Sequence, residues 1–135
     1  TIYVLDELYM PGLTNDVLAT EVKKIIGNQL VVCDSAEPKS IKELRQYGVN
    51  AMGAKKGKDS VNHGIQWLQQ QTIVVDVKCQ NMKNELMKYK WKEDKNGNVL
   101  PVPVDKDNHL IDALRYAYED EFFEKRPVLR KPSGW

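Results

Sequence analysis

Short apolar runs alternate with amphipathic segments along this 135-residue chain, and the alternation restricts the possible folds more than any other feature. The runs TIYVLDELY, LVVC, VNAMGA and TIVVD are predicted strands, because β-branched and aromatic residues favour extended backbone. LVVC and TIVVD are continuous apolar runs, which are typical of strands buried on both faces. Helices are predicted between the strands, as from Thr14 to Ile26 and from Pro38 to Gly48. This order predicts an α/β fold with a largely parallel sheet.

The C-terminal third adds a hairpin, a helix and a tail to this pattern. Asn96-Gly97 is the dipeptide that two-residue hairpin turns favour. An amphipathic helix is predicted from Lys106 to Phe123. The segment 125–135 is basic, contains two prolines and is predicted to be mobile. The domain proper is therefore expected to span residues 1–124.

Composition and charge indicate a single-domain protein without a membrane span. With 41% hydrophobic residues, the chain supports one sizeable core. The net charge of +1 argues neither for nor against nucleic-acid binding, which only local clusters of basic residues could indicate. The longest apolar runs are well short of 18 residues, so a membrane span is not predicted, and the first residues do not resemble a signal peptide. Cys33 and Cys79 stand outside any zinc-ligand spacing and are predicted to be free thiols in a reducing cytoplasm.

Two acidic residues far apart in the sequence are the candidate chemical groups. Asp34 directly follows the run LVVC, and ligands of α/β proteins gather at the carboxyl ends of strands. In the closing helix, His109, Asp112 and Tyr116 form a strip beside the apolar stripe. Carboxylates from two elements can hold Mg²⁺ or Mn²⁺, which prefer oxygen ligands and keep several waters. His109 could then orient a water or transfer a proton.

Structural roles for the same residues remain open alternatives. Asp112 and Arg115 are three residues apart in the helix and could form an ion pair. Asp34 could cap the turn DSAEPK by accepting hydrogen bonds from its backbone N–H groups. His109 could simply be solvated.

Three lysines in GAKKGKDS form a local basic cluster between a strand and a helix. Lys55, Lys56 and Lys58 could contact the phosphates of DNA, or they could belong to a solvated loop. The stretch departs from a P-loop, because three residues separate the glycines and Asp59 replaces the required hydroxyl residue. A nucleotide-triphosphate site is therefore excluded here.

Two long segments resemble a known family. VVCDSAEPKSIKELRQYGVNAMGAKKGKDSVNHGIQWL and DKDNHLIDALRYA are similar to the nuclease domain of tailed-phage and prophage terminase large subunits. The resemblance implies an RNase H-like mixed sheet with flanking helices. It also implies an endonuclease that depends on Mg²⁺ or Mn²⁺ and cuts concatemeric double-stranded DNA during genome packaging. Asp34 and Asp112 match the family's metal-binding acids, His109 matches the histidine of the same motif, and the lysine cluster matches a stretch near DNA.

The sequence departs from the family in one respect. The family's first catalytic aspartate lies on an earlier strand, and neither that motif nor the Walker motifs of the packaging ATPase occur in this sequence. A fold without the family's first strand or strands is therefore expected. The resemblance further implies the portal, the small terminase subunit and a packaging ATPase domain as partners, and the cytoplasm of a bacterial host. Two alternatives remain: a non-catalytic DNA- or portal-docking fragment, and another RNase H-like enzyme such as a resolvase or transposase.

Overall fold

A computed structural model of the protein describes residues 1–55, 60–104 and 106–123, and strand and helix alternate through most of them. The strands are β1 (Ile2–Val4), β2 (Val31–Cys33), β3 (Ala51–Gly53), β4 (Ile73–Val75), β5 (Trp91–Glu93) and β6 (Val99–Pro103). The helices are α1 (Asn15–Ile26), α2 (Pro38–Gln46), α3 (Ser60–Gln69), α4 (Gln80–Lys88), α5 (His109–Ala117) and α6 (Glu119–Phe123). The predicted α/β class is confirmed. Among these helices, none is long and apolar enough to cross a bilayer.

The strands of the described chain form separate pairs rather than one continuous sheet. β1 pairs with β4 and β2 with β3, both parallel, and β5 pairs with β6 antiparallel. The expectation of a largely parallel sheet thus holds within each of the first two pairs, but those pairs are not hydrogen-bonded to each other in the described residues. The mixed arrangement agrees with the expected mixed sheet.

Burial of the strands differs from the prediction. All three residues of β2 are only half-buried, and Val74 in the middle of β4 is 44% exposed. The prediction of strands buried on both faces was therefore wrong for LVVC and TIVVD. The physical reason is that continuous apolar strands are shielded only inside a sheet with covered faces, and a two-stranded pair leaves more of its surface open.

Two hydrophobic clusters stabilise the fold, one around each parallel pair. The first joins β1 and β4 to α3, α4 and α5, and its buried members are Ile2, Val4, Ile65, Leu68, Cys79, Met82, Ile111 and Leu114. The second joins β2 and β3 to α1 and α2, and its buried members are Ala19, Ile41, Leu44, Val49 and Ala51. α5 also packs against β2 and so bridges the two halves.

A groove of about 590 Å³ separates the two parallel pairs. Its walls come from β1, β2, α1 and α5. Ala113 and Ala117 belong to the apolar stripe of the closing helix, which its amphipathic pattern predicts to face the core, but both residues line this groove and are exposed. The stripe was correctly located on the helix, but part of it faces this groove.

The closing segment is two helices, not the single helix predicted from Lys106 to Phe123. α5 ends before Tyr118, and α6 begins at Glu119. Glu119 is buried, and its Oε2 accepts a 2.8 Å hydrogen bond from the backbone N–H of Lys55. This contact with the loop after β3 is a tertiary interaction that a helical repeat does not encode. The predicted mobile tail, 125–135, lies outside the described residues.

The β5–β6 hairpin confirms a turn at Asn96-Gly97, but its loop has three residues rather than the predicted two, since the N–H of Asp94 donates to the carbonyl of Asn98 and the N–H of Gly97 to the carbonyl of Asp94. Gly97 has a φ of 79°, a conformation that glycine adopts without strain. Asp94 accepts hydrogen bonds from the backbone N–H of Asn98 and of Asn96 and from the side chain of Asn98. These bonds, led by that from the Asn98 backbone, lower the pKa of the Asp94 carboxyl. These bonds hold the turn in its conformation.

Candidate functional site

The N-terminus of α5, which carries His109 and Asp112, is fixed by a buried carboxylate from another helix. Oε1 of Glu85, on α4, accepts hydrogen bonds from the backbone N–H groups of Leu110 at 2.8 Å and Ile111 at 3.1 Å. Glu85 is buried, and its Oε2 has no hydrogen-bond partner among the described residues. A negative charge at a helix N-terminus is also favoured by the helix dipole. The first turn of α5 is thus placed by a tertiary cap.

Asp112 lies on the first turns of α5 with its side chain 31% exposed. Its Oδ1 is 3.3 Å from Nη2 of Arg115, whose side chain is 7% exposed. The ion pair considered from the sequence therefore exists in the structure. Arg115 also stacks against the neighbouring Tyr116, with Cζ 4.7 Å from the ring centroid. The carboxylate remains partly accessible and is held by a cation that is almost fully buried.

Asp34 follows β2, as predicted, and is exposed. Its Oδ1 accepts a 3.0 Å hydrogen bond from the backbone N–H of Ala36, so the turn-capping role is also observed. Asp76 makes the same arrangement at the end of β4, where its Oδ1 accepts a 3.0 Å hydrogen bond from the N–H of Lys78. Capping a turn uses one lone pair of one oxygen, so it leaves a carboxylate able to bind a cation.

The elements that carry the two acids are neighbours, since α5 packs against β2. His109 is exposed at the first position of α5. However, the described part of the chain contains no group of three or more histidine, cysteine, aspartate or glutamate side chains placed to hold a metal. Asp34 and Asp112 are suitable oxygen donors for a hard divalent ion, but the described residues do not complete a ligand set.

The predicted DNA-binding lysines are described only in part. Nζ of Lys55 is 3.0 Å from Oδ1 of Asp120, and both side chains are more than half exposed. Such an exposed pair is weak and can be exchanged for a contact with phosphate. Lys56 and Lys58 lie outside the described residues.

Three charged residues around this region were not predicted from the sequence as site residues, although Arg115 was considered as an ion-pair partner of Asp112. Glu85 and Arg115 are buried charges, and Glu7 reaches α4, where its carboxylate accepts hydrogen bonds from the backbone N–H groups of Asn81 and Met82. Glu85 lies three residues after the core residue Met82, so helical periodicity could have identified it as facing inward. The role of Glu7 depends on a contact across more than seventy residues and has no comparable local indication.

Comparison with known proteins places this geometry in a family. The model of the terminase RNase H-like domain matches residues 1–120. The chain is 42% identical over 123 residues to the terminase large subunit of Bacillus phage SPP1, and 33% identical over 121 residues to the PBSX phage terminase large subunit of Bacillus subtilis (strain 168). These alignments cover 87% and 88% of this chain but 29% and 28% of the relatives. The chain thus spans less than a third of their length.

Solved structures agree with the sequence relatives. The nuclease domain of the SPP1 large terminase, crystallised with bound Mn, superposes with a TM-score of 0.82 at 40% identity, covering 88% of this chain and 70% of that one. The large terminase of the thermophilic phage D6E, at 23% identity and a TM-score of 0.60, covers 82% of this chain and 29% of that one, and supports the fold alone. The chain therefore belongs to the family of terminase RNase H-like domains.

Proposed function

We propose that the chain is the divalent-metal-dependent endonuclease domain of a phage terminase large subunit, which cuts concatemeric double-stranded DNA during genome packaging. The observation that carries this proposal is the similarity to the SPP1 nuclease domain, which binds Mn and matches at a TM-score of 0.82. Asp34 and Asp112 support it, because both offer carboxylate oxygens on elements that pack together.

The residues have distinct roles in this proposal. Asp34 and Asp112 would hold Mg²⁺ or Mn²⁺ through their carboxylate oxygens. When bound, such an ion supplies Lewis acidity and lowers the pKa of water. His109, exposed one turn before Asp112, orients a water or accepts its proton. Lys55, Lys56 and Lys58 contact the DNA backbone.

The groove between the parallel pairs leaves room for a further strand. The SPP1 domain is longer than the part matched by this chain, which covers 70% of it. Within the described residues β1 and β2 each pair with one other strand, so a strand equivalent to part of the unmatched 30% could add to the edges that they leave open. We propose that the family's first catalytic aspartate lies on such a strand.

The wider setting of the proposed function follows from the same family. The parent protein carries a packaging ATPase domain, and its partners are double-stranded DNA, the portal and the small terminase subunit. It acts in the cytoplasm of the bacterial host. These assignments rest on the relatives being whole terminase large subunits, of which this chain spans less than a third.

Metal binding provides the first test. Asp34→Ala and Asp112→Ala should each weaken Mn²⁺ binding to the chain by at least about tenfold, because even partners of metal ligands contribute that much. The measurement is isothermal titration calorimetry. Asp76→Ala is the matched control, since Asp76 is also exposed at the end of a parallel strand and caps a turn in the same way. Equal affinities in all three variants would refute the assignment of Asp34 and Asp112.

A second candidate function is a non-catalytic module that docks on DNA or the portal. The observation in its favour is that the described residues do not form a closed metal site. Nicking of supercoiled plasmid with Mn²⁺ separates the two candidates. Cleavage that disappears in Asp112→Asn supports the nuclease, and DNA binding without any cleavage supports the module. The resolvase or transposase alternative is disfavoured, because the relatives are terminases.

A further inference from the structure

Arg115 is a buried cation whose hydrogen-bonding capacity is incompletely used. The residue is 6% exposed, and its Nε is buried without a hydrogen-bond partner among the described residues. Its Nη2 reaches one oxygen of Asp112 at 3.3 Å, which is long for a charge-assisted bond. A guanidinium carries five N–H donors and is costly to bury unless they are paired. The arrangement therefore favours an additional anionic partner.

A cavity of about 480 Å³ lies directly beside Arg115 and is large enough for a small ligand group. Besides Arg115, Asp112 and Tyr116 of α5, its wall includes Lys92 of β5, Asn62 of α3 and Asn108. Lys92 is exposed and supplies a second positive charge from a different element. Among the described residues that line the cavity, two cations thus face one carboxylate, so this part of its wall is net positive.

The ligand chemistry follows from the donors that converge on this cavity. The N-terminal N–H groups of α5 at Leu110 and Ile111 are already bonded to Glu85, so an anion here would be held by side chains. A planar guanidinium next to a flexible ammonium is suited to the oxygens of a phosphate group. The cavity also borders Asp112, the residue to which we assign metal binding.

We propose that this cavity is a subsite for a backbone phosphate of the DNA substrate, with Arg115 and Lys92 as its ligands. The proposal rests on the proposed nuclease function and adds to it two residues outside the lysine cluster. Arg115 retains its bond to one oxygen of Asp112 and donates the guanidinium N–H groups that face the cavity to the phosphate. It therefore places the DNA backbone next to the carboxylate that holds the metal.

The test is the salt dependence of binding to a short DNA duplex, measured by fluorescence anisotropy in EDTA so that the DNA is not cut. Lys92→Gln should reduce the slope of log affinity against log salt by about 0.9, the value for one phosphate contact. Lys42→Gln is the control: it removes an exposed lysine from α2, on the other half of the molecule, and should leave the part of the slope that depends on Lys92 unchanged. Arg115→Lys should weaken binding roughly 10- to 100-fold, because it keeps the charge but loses the forked donor.

The outcomes separate this proposal from the proposed function. If the chain binds duplex but Lys92→Gln has the slope of wild type, the phosphate subsite is wrong and the nuclease assignment stands. If wild type does not bind duplex, both fail. Inorganic phosphate is the second probe: binding of phosphate that depends on Lys92, without a Lys92 contribution to duplex binding, would mean a free-anion site instead. Because Arg115 is buried and its replacement could unfold the chain, the exposed Lys92 decides the result on its own.

Discussion

Glu85→Ala is expected to lower the free energy of unfolding by about 2–3 kcal/mol, because it removes two charge-assisted hydrogen bonds and leaves buried N–H groups unpaired. The N–H groups of Leu110 and Ile111 are both bonded to Glu85 Oε1. The loss is partly offset, since Glu85 Oε2 is buried without a partner in the described structure and its removal relieves a desolvation cost. Urea unfolding followed by circular dichroism measures the change.

The neighbouring residue supplies the control for this prediction. Asn84 lies on the same helix and is exposed, so Asn84→Ala should change stability by no more than about 0.5 kcal/mol. A Glu85→Ala variant as stable as Asn84→Ala would contradict the role of Glu85 as the cap of α5. We also expect Glu85→Ala to weaken Mn²⁺ binding, because the turn that carries His109 and Asp112 would lose its fixed position.

Ile111→Ala is expected to destabilise the protein by about 3–4 kcal/mol, the range for deleting a large aliphatic side chain from a packed core. Ile111 is 1% exposed and belongs to the cluster that joins α5 to β1 and β4. The surrounding strands are hydrogen-bonded in register, so they can relax only partly into the space left behind. The same urea titration measures the effect.

A graded series makes this second prediction sharper. Ile111→Val should cost only about 0.5–1.5 kcal/mol, since it removes one methylene group. Val77 is 84% exposed, and Val77→Ala should stay within about 0.5 kcal/mol of wild type. If Ile111→Ala and Ile111→Val were equally stable, the contact between α5 and the β1–β4 pair would not be close-packed.

Much of the local structure could be predicted from the sequence. The helix boundaries at Ile26 and Pro38 and the position of the hairpin turn at Asn96-Gly97 were correct. Each is set by residues within a few positions of the boundary: a glycine after the helix, a proline in its first turn, or a dipeptide that tolerates positive φ. The structural roles considered for Asp34 and Asp112, a turn cap and an ion pair with Arg115, are likewise local contacts, and both are present.

The candidate site was predicted less completely. Asp34 and Asp112 could be selected because acids next to apolar elements are visible in the sequence, and His109 because it shares a helix face with Asp112. Glu85 was not selected, and Arg115 was considered only as an ion-pair partner of Asp112, although both are buried charges, one on α4 and one on α5. Their roles depend on which groups they contact. The residue type alone does not show whether a charged side chain faces solvent, caps a distant helix or lines a cavity.

The sequence by itself determined which segments are strands and helices, because backbone preference and apolar periodicity act over a few residues. Only the tertiary structure decided that the parallel strands form two pairs across a groove, that the closing helix breaks at Tyr118, and that Glu85 fixes the start of α5. Those features arise from contacts between residues far apart in the sequence, 20 positions in the pairing of β2 with β3 and 25 between Glu85 and Leu110. Such contacts depend on how the elements pack, which the short-range pattern of residue types does not specify.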